Sequence, residues 1–378
     1  MTHEKRDSAK PLVMLSANTA WNVLSRKRLL LAIKDSGRDL IALAATDDNA
    51  RVLESELGIP FIPLAMKGDG TNIRDDIALF FRYLGLYRRY RPTVALHINN
   101  KPNIYGSIAA SLLGIRSVSN ITGLGIVAEK KGFTRFLVMT LYRIAFFSKK
   151  AHVFFQNSDD RQYFLDNKLV KPEKTGLLPG SGVDIESFTP SAEMRQPDTG
   201  AVHFLYNSRL VLSKGIREYL DAARAIKLLY KNAKFSIIGE LLPNNPIFLP
   251  ESELETARAS GIVEYHGVVK NVKPFINAAD CIVLPSWYRE GVPRSLLESA
   301  AMGKPLIVAD SVGTREPVEH GINGYRVPPH DGIALREAMI RFIELDNDEK
   351  KRMGIESRRI AVTRFSDSFV ITMYLERL

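Results

Sequence analysis

The chain reads as an α/β protein built from two doubly wound halves, each with a parallel sheet, and three observations predict this. Short apolar runs alternate with helix-period patterns along most of its length. Polar or glycine-bearing loops follow many of those runs, and an open parallel sheet holds its ligands at the carboxyl ends of its strands. At 378 residues with 45% apolar content, the chain fills two ordinary cores better than one. The polar stretch Thr189–Gly200, with Pro190 and Pro197, reads as the linker. Predicted domains are therefore 1–190 and 200–362, with a C-terminal helix over 363–378 crossing back to the first.

In the first half, Leu12–Leu15 begins a strand and Ala17–Asn22 leads into a helical pattern through Leu24, Leu29, Leu30 and Ile33. The alternation continues with a strand at Leu40–Leu43, a helix over 50–57, a strand at Pro60–Leu64, a helix over 73–90 and a strand at Thr93–His97. Two polar loops follow at strand ends: Asn99–Gly106, which leads into a helix from Ser107, and Asn120–Gly125. Ala151–Phe155 is another strand, Asp159–Asn167 a helix, and Pro179-Gly-Ser-Gly182-Val-Asp184 closes the half with glycines suited to a tight turn. Candidate ligand residues on these loops are Asn18, Asn22, His97, Lys101, Asn120, Thr122 and Gly182. His97 is also the kind of residue a core absorbs.

The segment Lys130–Lys150 is apolar at helical spacing (Phe133, Phe136, Leu137, Leu141, Ile144) with basic clusters at both ends. It suits either a core helix with a solvated rim or a helix lying in a membrane interface. Arg82, Arg88, Arg89 and Arg91 favour the second. The net charge of +10 is uneven: residues 1–190 hold 27 Lys+Arg and 18 Asp+Glu (+9), the remainder 25 and 24 (+1). A basic half implies an anionic partner there. The single cysteine, Cys281, excludes an intrachain disulfide. No signal peptide or membrane span is read, so a cytoplasmic protein is expected.

In the second half, a strand at Val202–Tyr206 is followed by Asn207–Ile216, which places Arg209 and Lys214 beside the start of a helix over 218–230. A guanidinium and an ammonium so placed suit a pyrophosphate. The Walker A spacing is absent, which argues against an NTPase. Strands at Lys234–Ile238, 263–268, Cys281–Leu284 and Pro305–Ala309 follow, then helices over 332–346, 348–362 and 367–378. Between the last two strands lies Ser286-Trp-Tyr-Arg-Glu290-Gly-Val-Pro-Arg294-Ser-Leu-Leu-Glu298, a loop and helix that offer two glutamates eight positions apart to one ligand.

Taken together, Glu290…Glu298, Arg209…Lys214-Gly215, Pro179–Asp184 and Gly321-Ile-Asn-Gly-Tyr-Arg-Val-Pro328 resemble the retaining glycosyltransferases of family 4. The resemblance covers nearly the whole chain. It implies the GT-B fold, two Rossmann-like domains facing across a cleft, the first for the acceptor and the second for a nucleoside diphosphate sugar. The loops Asn100–Gly106 and Asn120–Gly125, with Gly291-Val292-Pro293-Arg294, look more specifically like bacterial enzymes that extend undecaprenyl-pyrophosphate-linked sugars, often with N-acetylgalactosamine. Roles carried over by the resemblance place Arg209 and Lys214 on the donor pyrophosphate, Glu298 on the ribose and Glu290 on the donor sugar. The backbone of Gly291–Arg294 then faces sugar or phosphate. No metal or other cofactor is implied. The expected partners are a nucleotide-sugar donor, UDP-linked by preference, a polyprenyl-pyrophosphate saccharide and an anionic membrane surface, with the protein peripheral on the inner face of the cytoplasmic membrane; nucleic acid is not expected. The chain departs from the family in its first loop, which lacks the usual glycines, and around Asn120–Thr122, where many members carry a histidine.

Rival readings are a glycosidase, a sugar-nucleotide epimerase of the same architecture and a non-enzymatic basic protein binding membrane or RNA. Glycosidase carboxyls lie roughly 5 to 9.5 Å apart. Glu290 and Glu298 on one continuous helix would lie about 12 Å apart.

Overall fold

The computed structural model of the chain describes residues 10–66, 72–124, 132–190 and 201–378. Gly125, Lys130, Lys131 and most of the predicted linker, 191–200, lie outside them. The chain divides into two compact units, Met1–Ser181 with Ser368–Leu378, and Gly182–Asp367.

The first unit carries seven parallel strands: β1 (Leu12–Thr19), β2 (Asp39–Ala45), β3 (Phe61–Pro63), β4 (Val94–Ile98), β5 (Arg116–Ile121), β6 (Ala151–Phe155) and β7 (Thr175–Leu177). Their order is β3-β2-β1-β4-β5-β6-β7. Leu12–Leu15 and Val94–Ile98 are buried throughout, as strands covered on both faces must be. The order of strands reverses between β1 and β4, so the loops after these two diverge and leave a crevice at their carboxyl ends.

Right-handed crossovers sort the helices onto two faces. One face carries α1 (Ala20–Leu24), α2 (Lys27–Asp35) and α3 (Asn49–Ser55); the other carries α4 (Ile73–Tyr90), α5 (Ser107–Leu112), α6 (Gly132–Ala145) and α7 (Ser158–Asp166). The helical pattern through Leu24–Ile33 is two helices, not one, broken at Ser25–Arg26. α4 is well delimited: Asn72 caps its N-terminus by accepting from Arg74 N, Asp75 and Asp76 sit in the first turn, and Arg91 ends it in the left-handed region.

α6 is apolar on two sides. Met139, Tyr142 and Ala145 face the core, whereas Phe133, Phe136, Leu137 and Ile144 face outward. Of the stripe named from the sequence, Leu141 is partly buried against the core and the other four residues are exposed.

The second unit has six parallel strands, β8 (His203–Asn207), β9 (Lys234–Ile238), β10 (Glu264–Tyr265), β11 (Cys281–Leu284), β12 (Leu306–Ala309) and β13 (Gly324–Val327), ordered β10-β9-β8-β11-β12-β13. The reversal here lies between β8 and β11. Its helices are α8 (Ile216–Leu229), α9 (Glu251–Ala259), α10 (Lys273–Ala278), α11 (Arg294–Ala301), α12 (Gly332–Glu344) and α13 (Asn347–Arg364). The sequence reading passes over α9, β7 and β13. Helix α14 (Asp367–Leu375) follows, and its Val370 and Tyr374 are buried in the core of the first unit.

Candidate active site

In the second unit the loops after β8 and β11 meet at the reversal point. Ser213 O accepts from Trp287 N (3.1 Å), Tyr288 N (3.2 Å) and Ser286 Oγ (3.4 Å), which zips the two loops together. Gly215 makes this possible, because its φ is +76° and a Cβ there would collide with Pro285 O. The loop after β12 supports the β11 loop from behind, since a Cβ on Gly313 would strike the carbonyls of Glu290 and Gly291.

This scaffold brings Lys214 and Glu290 into direct contact. Lys214 Nζ pairs with Glu290 Oε2, and both side chains are largely buried. Ser286 Oγ donates to Glu290 Oε1 at 3.0 Å, the Tyr288 ring lies 5.8 Å from Lys214 Nζ, and Tyr206 Oη donates to Lys214 O at 3.3 Å. Arg209 leaves the same strand end and is exposed. Gly291, Val292 and Pro293 are buried and lead into α11, whose N-terminus carries Arg294. Glu298 lies one turn further along and pairs with Arg294 at 3.3 Å. Burial pushes its carboxyl above the usual range, with Arg294 pulling it back. Glu290 is in a loop, so the two glutamates are not presented as a helical pair.

In the first unit the crevice between β1 and β4 is lined with asparagines. Asn99 holds φ at +76°, a conformation uncommon outside glycine. Its Oδ1 accepts from Asn18 N at 3.2 Å and its Nδ2 donates to Thr122 Oγ1 at 3.5 Å, so one side chain links three strand-end loops. Asn103, in a π-helical turn over Pro102–Gly106, donates to Asn120 O at 2.7 Å. Asn120 Nδ2 donates to Tyr374 Oη at 2.7 Å. The Oδ1 atoms of Asn18, Asn103 and Asn120 are buried without a donor among the described residues. Three orphan acceptors suit a ligand rich in hydroxyl or amide N–H groups.

Three predicted residues take other work. His97, a substrate-binding candidate from sequence, is instead fully buried: Tyr87 Oη is 2.8 Å from Nε2 and Ser107 Oγ is 3.0 Å from Nδ1. Burial pushes its pKa down to about 3, so it is a neutral strut tying α4 and α5 to the sheet. Lys101 pairs with Asp76 at 2.9 Å. Gly182 lies where the chain passes between the units, and a Cβ there would meet Asp367 Cα at 2.5 Å. Asn22 stays near the crevice but is engaged with Thr19. The sequence reading misses Ser213, Ser286, Tyr288, Asn99 and Asn103. The signal for Asn99 was the Asn99-Asn100 pair at a strand end, since asparagine tolerates the left-handed region.

A family model described as "Glycosyl transferases group 1" matches residues 201–345, the span that holds Arg209, Lys214 and both glutamates. The N,N'-diacetylbacillosaminyl-diphospho-undecaprenol alpha-1,3-N-acetylgalactosaminyltransferase of Campylobacter jejuni is 24% identical over 93% of both chains. The chain is a glycosyltransferase. This sets aside the epimerase and the non-enzymatic readings. The glycosyltransferase is also 24% identical to the UDP-Gal:alpha-D-GlcNAc-diphosphoundecaprenol alpha-1,3-galactosyltransferase of Escherichia coli, over 72% of this chain and 71% of that one. Among solved structures it resembles the sucrose-phosphate synthase of Thermosynechococcus elongatus (TM-score 0.81, 16% identity, 97% and 98% of the two chains). It also resembles HepE of Anabaena in complex with UDP and glucose (TM-score 0.76, 18% identity, 97% and 98%). These likenesses are of fold, and the fold is GT-B. Among the described residues no helix is long and apolar enough to cross a membrane.

Proposed function

We propose that this glycosyltransferase moves a hexose or N-acetylhexosamine from a UDP-linked donor to a polyprenyl-pyrophosphate-linked saccharide, with retention of anomeric configuration, in surface-glycan or N-glycan assembly. The observation that carries the reading is the contact of Lys214 with Glu290 at the β8/β11 reversal, with Glu298 behind it. The names of the Campylobacter and Escherichia relatives, both of which act on diphospho-undecaprenol sugars, support the acceptor class. HepE, solved with UDP, supports the donor base.

In this reading Arg209 and Lys214 neutralise the donor pyrophosphate. The bond from the anomeric carbon to the β-phosphate oxygen breaks, the acceptor hydroxyl oxygen bonds to that carbon on the same face, and the hydroxyl proton leaves on the departing diphosphate. Negative charge grows on the diphosphate as the bond stretches, so cations already in place favour the transition state over the ground state. Glu290 orients the sugar hydroxyls, and Glu298 accepts from the ribose. The asparagine crevice of the first unit takes the acceptor, whose hydroxyl and acetamido N–H groups supply the donors that Asn18, Asn103 and Asn120 lack.

The protein is proposed to sit peripherally on the inner face of the cytoplasmic membrane. On the outer surface of the α4–α5–α6 layer, Phe81, Phe133 and Phe136 are 60, 78 and 67% exposed. Arg82, Arg88 and Arg89 on α4 are exposed as well. Aromatic side chains with flanking cations favour an anionic bilayer surface.

The decisive experiment is a thermal-shift and transfer screen against UDP-, GDP- and ADP-sugars with a polyprenyl-pyrophosphate disaccharide as acceptor. UDP-sugars are expected to raise Tm and support transfer. A shift with GDP- or ADP-sugars alone overturns the donor, and donor turnover without acceptor modification overturns the acceptor class.

A further inference from the structure

The candidate site occupies the carboxyl ends of the strands, and the opposite edge of the first sheet carries a separate feature. Where β5, β6 and β7 begin, a groove of about 1250 Å³ is lined by eight lysines and arginines against two carboxylates, Glu173 and Glu376. Three of the cations have a structural task. Arg143 donates to the carbonyls of Asn167 (3.2 Å) and Lys168 (3.4 Å), Lys150 to that of Gly114 (2.7 Å), and Lys174 to those of Phe147 and Ser148 (2.9 Å each). They neutralise the carbonyl ends of α7, α5 and α6.

Five remain without such a task. Arg116, Lys149, Lys168, Lys171 and Arg377 are exposed, and no carboxylate pairs with any of them among the described residues. The groove registers their charge. Lys174 is pushed below the usual lysine range by burial and then by Lys171 and Lys149. His152 is pushed down to about 4 by burial and then by Arg377, and its Nε2 is buried without a partner. So many cations facing two carboxylates repel one another, and an anionic ligand removes that repulsion.

The surroundings say which anion. Phe146, Leu169 and Val170 form an apolar floor, and Phe147 stands on the rim, 82% exposed. Phe147 continues the outward stripe of α6 through Ile144 to Phe136 and Phe133. A nucleic-acid track sets its aromatic rings among the cations as stacking platforms, whereas here the phenylalanines continue away from the lysines as a stripe with Ile144 along α6; a bilayer surface matches both, with phosphates at the lysines and acyl chains at the phenylalanines. We propose that this groove docks anionic phospholipid headgroups, anchoring the first unit by the amino ends of its strands. The inference rests on the peripheral membrane reading and adds to it a named site away from the asparagine crevice.

The test is sedimentation of the full chain with vesicles of phosphatidylglycerol and phosphatidylcholine, or of phosphatidylcholine alone. The Lys149→Ala/Lys168→Ala/Lys171→Ala protein is compared with wild type and with Phe133→Ser/Phe136→Ser. Each lysine facing an anionic surface contributes about fivefold, so the triple variant is expected to bind phosphatidylglycerol vesicles about a hundredfold more weakly while keeping the Tm shift with UDP. If the triple variant binds them like wild type and the Phe variant does not, the groove inference falls and the membrane reading stands. Wild type that sediments with neither vesicle overturns both. Release from phosphatidylglycerol by 10 mM orthophosphate at constant ionic strength, or by an RNA oligonucleotide that binds more tightly than the vesicles, also overturns the headgroup assignment.

Discussion

Lys214 is held where it stands by two loops and pairs with Glu290. Replacing it with alanine therefore has two effects. Transfer is expected to fall about 100- to 1000-fold, the scale of losing one preorganised charge partner in a transition state. Tm also falls, because Glu290 loses its Lys214 charge partner in a mostly dry site. Adding Glu290→Gln to Lys214→Ala restores the Tm but not transfer; steady-state kinetics on the double variant check this, and recovered transfer removes Lys214 from the mechanism. Glu298 yields a pH signature. Its folded pKa lies above that of an unfolded chain, so its contribution to stability is full in acid and is lost as pH rises through the folded value. Glu298→Gln does not titrate, and its Tm relative to wild type is expected to climb between pH 4 and pH 8. The same protein binds UDP more weakly, read by calorimetry.

At the level of elements, Asn99 does for the first unit what Ser213 does for the second: one residue ties several strand-end loops. Asn99→Gly keeps the backbone conformation and removes the ties. It is expected to leave Tm nearly unchanged and UDP binding intact while raising the acceptor KM several-fold; a change in UDP affinity instead contradicts the assignment. The strand alternation and the β8 and β11 loops are legible in the sequence because buried parallel strands read as short apolar runs and the loops carry charges at strand ends. The sequence already allows His97 a core place, but not its partners: burial keeps it neutral, and only folding brings Tyr87 and Ser107 to its two nitrogens. The direction of the α6 stripe is not legible either. That helix is apolar on both sides, and periodicity alone does not say which side the core takes.

For the whole molecule, cations on the outer surface of α4 and in the basic groove contribute to the surplus positive charge of the first half. Membrane binding is accordingly expected to weaken as salt rises from 50 to 500 mM, as a bilayer's surface potential is screened, whereas UDP binding to the buried Lys214 site changes less. Sedimentation and calorimetry over the same salt series separate the two. The return of α14 has a further consequence for how the protein is made. Tyr374 packs against Phe154 and accepts from Asn120 Nδ2, yet it is synthesised after the whole of Gly182–Asp367. On the ribosome the earlier unit must wait, with its hydrophobic floor uncovered, for the later one to emerge. A chain stopped at Asp367 is expected to bind a hydrophobic dye and to recover order when a peptide of residues 368–378 is added. The asparagine crevice, through Asn120, is thereby completed only once residues 368–378 have been made.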